Sequence, residues 1–360
     1  AKLVDPALDT VSGLPPGTYA GPFRMLSTSG STGAPRLVVW RQDKLLAERR
    51  RWLAHVGLRA DDVVYCRHTL DVAHGMDIHM LAALLRGARL ALDDEHSTPD
   101  QLLDRLIEHR ATMFSALPRH YQELTRAAQE RTGQWRLDSL RLPLCGGAYL
   151  SGATVGEAMR VLGIHIRRIY GSTEFGMALG NMDDVDQTDV GMRPIEGIDV
   201  MVEPLSADTP EVGELITRSA YTSEGYFDDE AKTKAAFRDE WYHTGDVTRH
   251  GTDGRYRILG RTAEAIEAAD GPVLAPELEA ELAHGCPVDE VVVLAAHPDE
   301  YRPEALVLAK PHTGADADRV RAAIREVLSG MRIHGHVKLA ERIPHIPVGK
   351  PDKNLIRRRW

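Results

Sequence analysis

Ser27-Thr28-Ser29-Gly30-Ser31-Thr32-Gly33-Ala34-Pro35-Arg36 is a hydroxyl- and glycine-rich stretch set between two short apolar runs, 23–26 and 37–40. Those runs read as strands, which makes the stretch a strand-to-strand turn. Gly30 and Gly33 lack Cβ atoms and tolerate positive φ, so successive backbone N–H groups can point into one concavity. The hydroxyls of Thr28, Ser29, Ser31 and Thr32 add donors suited to phosphate oxygens, and Arg36 adds a fixed positive charge. No Gly-Lys-Ser/Thr follows and no helix opens behind the turn, which separates it from a Walker-type loop. Alone, the stretch reads equally as a polar turn. The rest of the chain decides between the two.

Outward from that turn, 43–57 reads as a helix with Leu45, Leu46, Trp52, Leu53 and Val56 on one side, and a second helix is expected over 77–86. Strand-like runs at 89–92, 112–116, 140–145 and 164–169 then alternate with helices opened by Thr98-Pro99, Pro118 and Ser151. Repeated strand–helix–strand units predict an α/β fold with a parallel sheet between helices. Ligands of such sheets sit beyond the carboxyl ends of the strands, which is where Gly146-Gly147 and Tyr170-Gly171-Ser172-Thr173-Glu174 fall. From 189 to 260, short strands separated by Gly and Pro predict a small β-rich appendage. Past Arg261, two helices (276–283, 316–328) and three strands (290–296, 305–310, 337–342) predict a small α+β domain. The expected domains are therefore 1–261 and 262–360.

A net charge of −9 over 360 residues excludes a surface built chiefly to hold nucleic acid. No apolar run reaches the length of a membrane span, and residues 1–10 carry no signal-peptide block. The three cysteines, Cys66, Cys145 and Cys286, have no paired spacing; they read as small buried hydrophobes in a reducing cytoplasm.

Three further segments carry specific chemistry. Tyr242-His243-Thr244-Gly245-Asp246 puts a carboxylate on a tight turn, suited to two adjacent hydroxyls. Gly260-Arg261 lies at the expected domain boundary, and Pro347-Val348-Gly349-Lys350 places one lysine on a glycine-permitted turn. Together and in order, these motifs resemble the adenylate-forming superfamily: acyl- and aryl-CoA synthetases, the adenylation domains of peptide synthetases, and firefly-type luciferases. The resemblance implies ATP and Mg²⁺, a small-molecule carboxylic acid, and CoA or a phosphopantetheine arm as acceptor, the arm possibly borne by an acyl carrier protein. It implies that Thr28, Ser29, Gly30, Ser31, Thr32, Gly33 and Arg36 wrap the β- and γ-phosphates, and that Gly147, Tyr170 and Gly171 flank the adenine. Thr173 would contact the α-phosphate and Glu174 would hold the metal. Asp246 would bind the ribose with help from Arg261, and Lys350 would bridge the attacking carboxylate and the α-phosphate. His74, Gly146, Ile169 and Met177 would line the acid pocket. Chemically, an anion must attack an anionic phosphorus, so a metal, a lysine and an amide-lined loop meet the need.

The departures are expectations too. The family's N-terminal subdomain is expected to be absent, because the phosphate loop starts by residue 27. Ala263 stands where the family often has Asp or Lys at its pivot, and Glu267 falls in a stretch where CoA ligases often carry Lys. A nitrogen acceptor, or a non-catalytic nucleotide-binding relic, therefore remains as an alternative. His68, Asp71, His74, Asp77 and His79 crowd together without a standard zinc spacing. His74 reads as a pocket residue or as a polar helix start, and Asp71 or Asp77 could be the carboxylate that grips an α-ammonium. The expected acid is not an α-amino acid, and an aromatic acid is the candidate considered. The basic tail from Lys338 to Arg359 could meet CoA phosphates or a carrier protein, or be a solvated terminus.

Overall fold

The computed structural model describes residues 21–27, 36–94, 96–131, 135–183, 189, 191–269, 271–297, 302–345 and 351–360. The expected phosphate-loop residues 28–33 and Lys350 lie outside them. The chain forms two compact units, Ala1–Val200 with Thr217–Tyr242, and Met201–Ile216 with His243–Trp360.

The first unit is the predicted α/β body. Its seven-stranded sheet has the spatial order Arg89–Leu92, Val63–Cys66, Met113–Ala116, Leu142–Cys145, Arg167–Ser172, Gly176–Gly180, Arg193–Pro194. The first five pair in parallel and the last two are antiparallel. Val63–Cys66, Met113–Ala116 and Leu142–Cys145 are buried at every residue, as strands covered on both faces must be. The helices Pro99–Glu108, Pro118–Glu130 and Gly152–Leu162 supply Leu102, Leu103, Leu106, Tyr121, Leu124, Val155 and Leu162 to one core with Phe114. Thr98 caps the first of them in a reciprocal box with Gln101, and Ser151 caps the third. The strands Pro22–Ser27 and Leu37–Arg41 form an antiparallel pair, joined by Gly225–Tyr226 on the outer side of the second. The Ser27–Arg36 stretch therefore connects two paired strands, as its flanks predict.

Three expected elements differ, one being the strand expected over 337–342, which runs from His334 to Leu339. The strand expected over 164–169 runs from Arg167 to Ser172. Ile164 and Ile166 are apolar because they fill the core before the ladder begins, and Tyr170-Gly171-Ser172 stays extended because it hairpins onto Gly176–Gly180. The helix expected over 77–86 begins earlier, as a wide π-type turn His74–Met80 that continues into Leu81–Arg86. Such turns are frequent at functional sites.

A five-stranded sheet runs in the order Asp199–Pro204, Val212–Arg218, Trp241–His250, Phe237–Arg238, with Tyr256–Arg261 pairing the third. In the second unit, Val288–Ala295, Glu304–Pro311 and His334–Leu339 form a three-stranded sheet. The helices Ala275–Gly285 and Ala317–Gly330 cover it through Leu278, Leu282, Val320, Ile324 and Leu328. All three cysteines are free and buried. Among the described residues no helix is long and apolar enough to cross a membrane.

Phe114 is fully buried, edge-on to Tyr121 at 5.8 Å between ring centroids. Phe114→Ala should cost about 3–5 kcal/mol in urea unfolding of the chain. A loss within about 0.5 kcal/mol, the range of surface changes, would place that ring outside the core.

Candidate active site

In the first unit the expected residues meet at the carboxyl ends of neighbouring strands. Gly146 leaves the buried strand Leu142–Cys145 and packs on Ile169, where a Cβ would come within 3.0 Å of both the Ile169 side chain and its carbonyl. Gly147 follows with φ +78°, a left-handed conformation that glycine takes without strain. On the next strand, Tyr170 pairs with Leu179, and Gly171 pairs with Met177 across the hairpin. A Cβ on Gly171 would sit 2.8 Å from the Met177 sulfur. Gly146 with Ile169, and Gly171 with Met177, are thus packed pairs around the ends of these strands.

A residue that the motifs do not flag holds the hairpin in place. Glu48, on the helix Gln42–Val56, is fully buried. Its Oε1 accepts the Met177 N–H at 2.8 Å, and its other oxygen is paired with the buried Arg49. Gly176 has φ +88°, and a Cβ there would lie 2.6 Å from the Glu48 carboxyl carbon. The buried charge is therefore satisfied twice, as a buried carboxylate must be.

Thr173 and Glu174 form the turn after the strand Arg167–Ser172, and each is tied from a distant part of the chain. Trp40 Nε1–H donates to the Thr173 carbonyl at 2.7 Å, and the Ser223 N–H donates to the Glu174 carbonyl at 3.2 Å. The Tyr226 hydroxyl donates to Glu174 Oε1 at 3.0 Å. Burial first, and then the Glu174 charge, pushes the Tyr226 phenol up to about 12, so it remains a donor at neutral pH. Arg36 lies over the Tyr226 ring, 4.9 Å from its centroid. Arg36, Tyr226, Asp229 and Lys232 help line an open cavity of about 260 Å³.

His74 is embedded in a group of four imidazoles. Its ring stacks on His68 at 4.1 Å and lies 5.6 Å from His79, while His120 is 5.8 Å from His68. His74 Nε2 bonds to the Ser115 hydroxyl at 2.8 Å. His79 is held in one protonation state. Its Nδ1 faces the His74 carbonyl at 2.8 Å and must carry the proton, while its Nε2 accepts the Ser115 N–H at 3.3 Å. Burial is the main cause that pushes His68 down to about 4, His79 and His120 to about 3, and His74 well below the ordinary value. His68 Nε2 and His120 Nδ1 are buried without a hydrogen-bond partner among the described residues. Asp77 forms a buried ion pair with Arg24, and Asp71 is exposed.

In the second unit, Gly245 turns with φ +68°, and its N–H donates to Glu214 Oε1 at 2.7 Å. The next residue, Asp246, stands opposite Arg261 in the ladder, with Arg261 Nη1 donating to Asp246 Oδ1 at 2.8 Å. Two expected partners thus meet. The segment that contains Lys350 is flanked by fixed ends. His345 bridges Pro351 and pairs with Glu290 at 2.7 Å, and Lys353 pairs with Glu264 at 2.6 Å.

The imidazole group makes stability depend on pH with a definite sign. The folded-state values lie below that of an unfolded histidine, so the contribution is complete above about pH 6.5 and falls as the unfolded chain takes up protons. Urea stability should decline from pH 7 to pH 5, by at most about 1.4 kcal/mol per pH unit for each imidazole. His120→Leu should flatten that slope. An identical slope in wild type and variant would mean that His120 titrates normally in the fold.

The model of the AMP-binding enzyme family matches residues 22–227. The 4-hydroxybenzoate/benzoate–CoA ligase of Rhodopseudomonas palustris is 28% identical over 343 residues, covering 92% of this chain and 63% of that protein. The medium-chain fatty-acid–CoA ligase of Escherichia coli K12 is 29% identical, covering 93% of this chain and 60% of that protein. The chain therefore spans somewhat under two thirds of the length of these curated relatives. Among solved structures, ATP-bound MatB of Rhodopseudomonas palustris superposes with a TM-score of 0.78 at 24% identity, over 93% of this chain and 67% of that one, which shows the shared fold. With the family's model running through more than half of its 360 residues, the chain belongs to the AMP-binding enzyme family.

Proposed function

We propose that this chain activates a small carboxylic acid with ATP, forming an acyl-adenylate and releasing pyrophosphate, and then passes the acyl group to the thiol of CoA. The observation that carries this reading is the Thr173–Glu174 turn, fixed by Trp40 and Tyr226 beyond the end of a sheet strand. A substrate carboxylate oxygen attacks the α-phosphorus, a new P–O bond forms, and the bond to the bridging oxygen of pyrophosphate breaks. Thr173 contacts the α-phosphate, and the loop 28–33 with Arg36 holds the β- and γ-phosphates. Asp246 accepts the ribose hydroxyls, with Arg261 holding the carboxylate. Lys350 neutralises charge that develops between the two anions. Glu174 offers the hard oxygen donor that Mg²⁺ takes. The bound ion would screen the phosphates from the incoming carboxylate. In the second step the CoA sulfur attacks the acyl carbon and AMP departs. In this reading residues 1–261 form the adenylating core and 262–360 the body that brings Lys350.

Gly146, Ile169, Met177 and His74 form the acid pocket. The Asp77–Arg24 pair supports an acid without an α-ammonium, because that carboxylate already has its cation. CoA is preferred to a carrier protein because relatives such as the benzoate and medium-chain fatty-acid ligases are CoA ligases, and part of the basic tail serves the fold rather than either acceptor. Arg357 Nη2 donates to the Ala295 carbonyl at 2.8 Å and Lys338 Nζ to the Trp360 carbonyl at 2.6 Å. Three free buried thiols support a cytoplasmic setting.

The direct test is pyrophosphate exchange across a panel of carboxylic acids, and absence of any acid-dependent exchange would reject the activity. Lys350→Ala should lower exchange on the order of 10²–10³-fold while ATP still binds. Exchange at the wild-type rate would remove Lys350 from the chemistry. Asp246→Ala should raise the Michaelis constant for ATP about tenfold or more, since each charge-assisted hydrogen bond contributes about 1.5–3 kcal/mol. A constant unchanged for ATP and raised for the acid would put Asp246 in the other pocket.

A further inference from the structure

Among the described residues, Glu203, Glu214 and His243 form the one set of three ligand-type side chains whose donor atoms all lie within 4.8 Å of one another. They come from three neighbouring strands of one sheet, Asp199–Pro204, Val212–Arg218 and Trp241–His250. His243 Nδ1 lies 3.5 Å from Glu214 Oε2 and 3.6 Å from Glu203 Oε2. We propose that this set is a zinc-type metal site, with His243 Nδ1 and one oxygen of each glutamate as ligands and water completing the tetrahedron.

The separations carry the argument. Bonds of about 2.0–2.1 Å from zinc to nitrogen and oxygen place tetrahedral ligands about 3.4 Å apart. The imidazole nitrogen is already near that distance from both carboxylates, which lie within 4.8 Å of each other, so an ion is held once the exposed Glu203 side chain closes on it. The donor set selects the metal. Mg²⁺ prefers an octahedron of oxygens and keeps several waters, whereas an imidazole with two carboxylates suits zinc and its transition-metal neighbours. Two carboxylates also bring the charge that a divalent ion neutralises.

The frame is rigid where it must be and open where an ion enters. The His243 and Glu214 side chains are 11% and 17% exposed, and that of Glu203 is 55% exposed. Glu214 Oε1 is occupied by the Gly245 N–H at 2.7 Å, which orients the carboxylate. Such support is what metal ligands usually have behind them. None of the three side chains has a task in the proposed reaction, so the site is an addition to it.

The test is calorimetric titration of the full chain with zinc chloride in buffer containing excess magnesium. One site of micromolar affinity is expected. Glu203→Gln, at an exposed position, should weaken it at least about tenfold while leaving the metal-free melting temperature unchanged. Zinc should raise the melting temperature of the wild type and not of this variant. His243→Gln should weaken binding further. Absence of saturable binding would overturn the proposal and leave His243 as a polar partner of two carboxylates. Binding that Glu203→Gln and His243→Gln both retain at wild-type affinity would overturn it as well, by placing the ion elsewhere.

Discussion

A parallel sheet covered by helices on both faces leaves its polar chemistry one way out, at the ends of its strands. Met113–Ala116 and Leu142–Cys145 are buried at every residue, so neither can offer a side chain to water along its length. What they can do is deliver backbone to a defined place. Gly146 and Gly171 are small because a neighbouring strand and a hairpin converge on them, and Gly147 because its backbone takes a left-handed conformation. The chemistry is therefore placed by the packing of apolar residues far from it.

The buried polar groups behind the surface at these strand ends obey the complementary rule, that each must be satisfied. Glu48 does so with a backbone N–H and an arginine. His79 does so with one carbonyl and one N–H, an arrangement only the neutral ring can make. These groups fix distances without adding net charge behind that surface. His68 and His120 each keep one buried nitrogen without a hydrogen-bond partner among the described residues.

The sequence reveals the alternating strands and helices because strand-end glycines, proline-opened helices and apolar runs each leave a local signature. It also singles out Tyr170, Thr173, Glu174, Asp246 and Arg261 as candidates, from residue types suited to the proposed chemistry and an order that resembles a family's. It conceals Glu48, which looks like any charged residue on a helix until the strand hydrogen-bonded to it is known. Ser115 and His120 are concealed likewise, since their partners lie far away in sequence. Glu203 and Glu214 sit on separate strands, and only the sheet brings them to His243. The strand at 164–169 was displaced for a related reason: burial and ladder pairing both favour apolar residues, and Ile164 and Ile166 answer only the first.

The buried cysteines have a consequence for the safety of the proposed reaction. An acyl-adenylate is an electrophile, and any thiolate within reach would capture it. Burial pushes the Cys66 thiol up to about 11 and that of Cys145 to about 12, and raises Cys286 as well. Cys66 further donates its S–H to the His68 carbonyl at 3.3 Å. At neutral pH the protein's own sulfurs are protonated and enclosed, so self-acylation has no nucleophile to start from. In the proposed reaction, an activated acyl group would then meet no reactive cysteine of this chain before the acceptor thiol arrives.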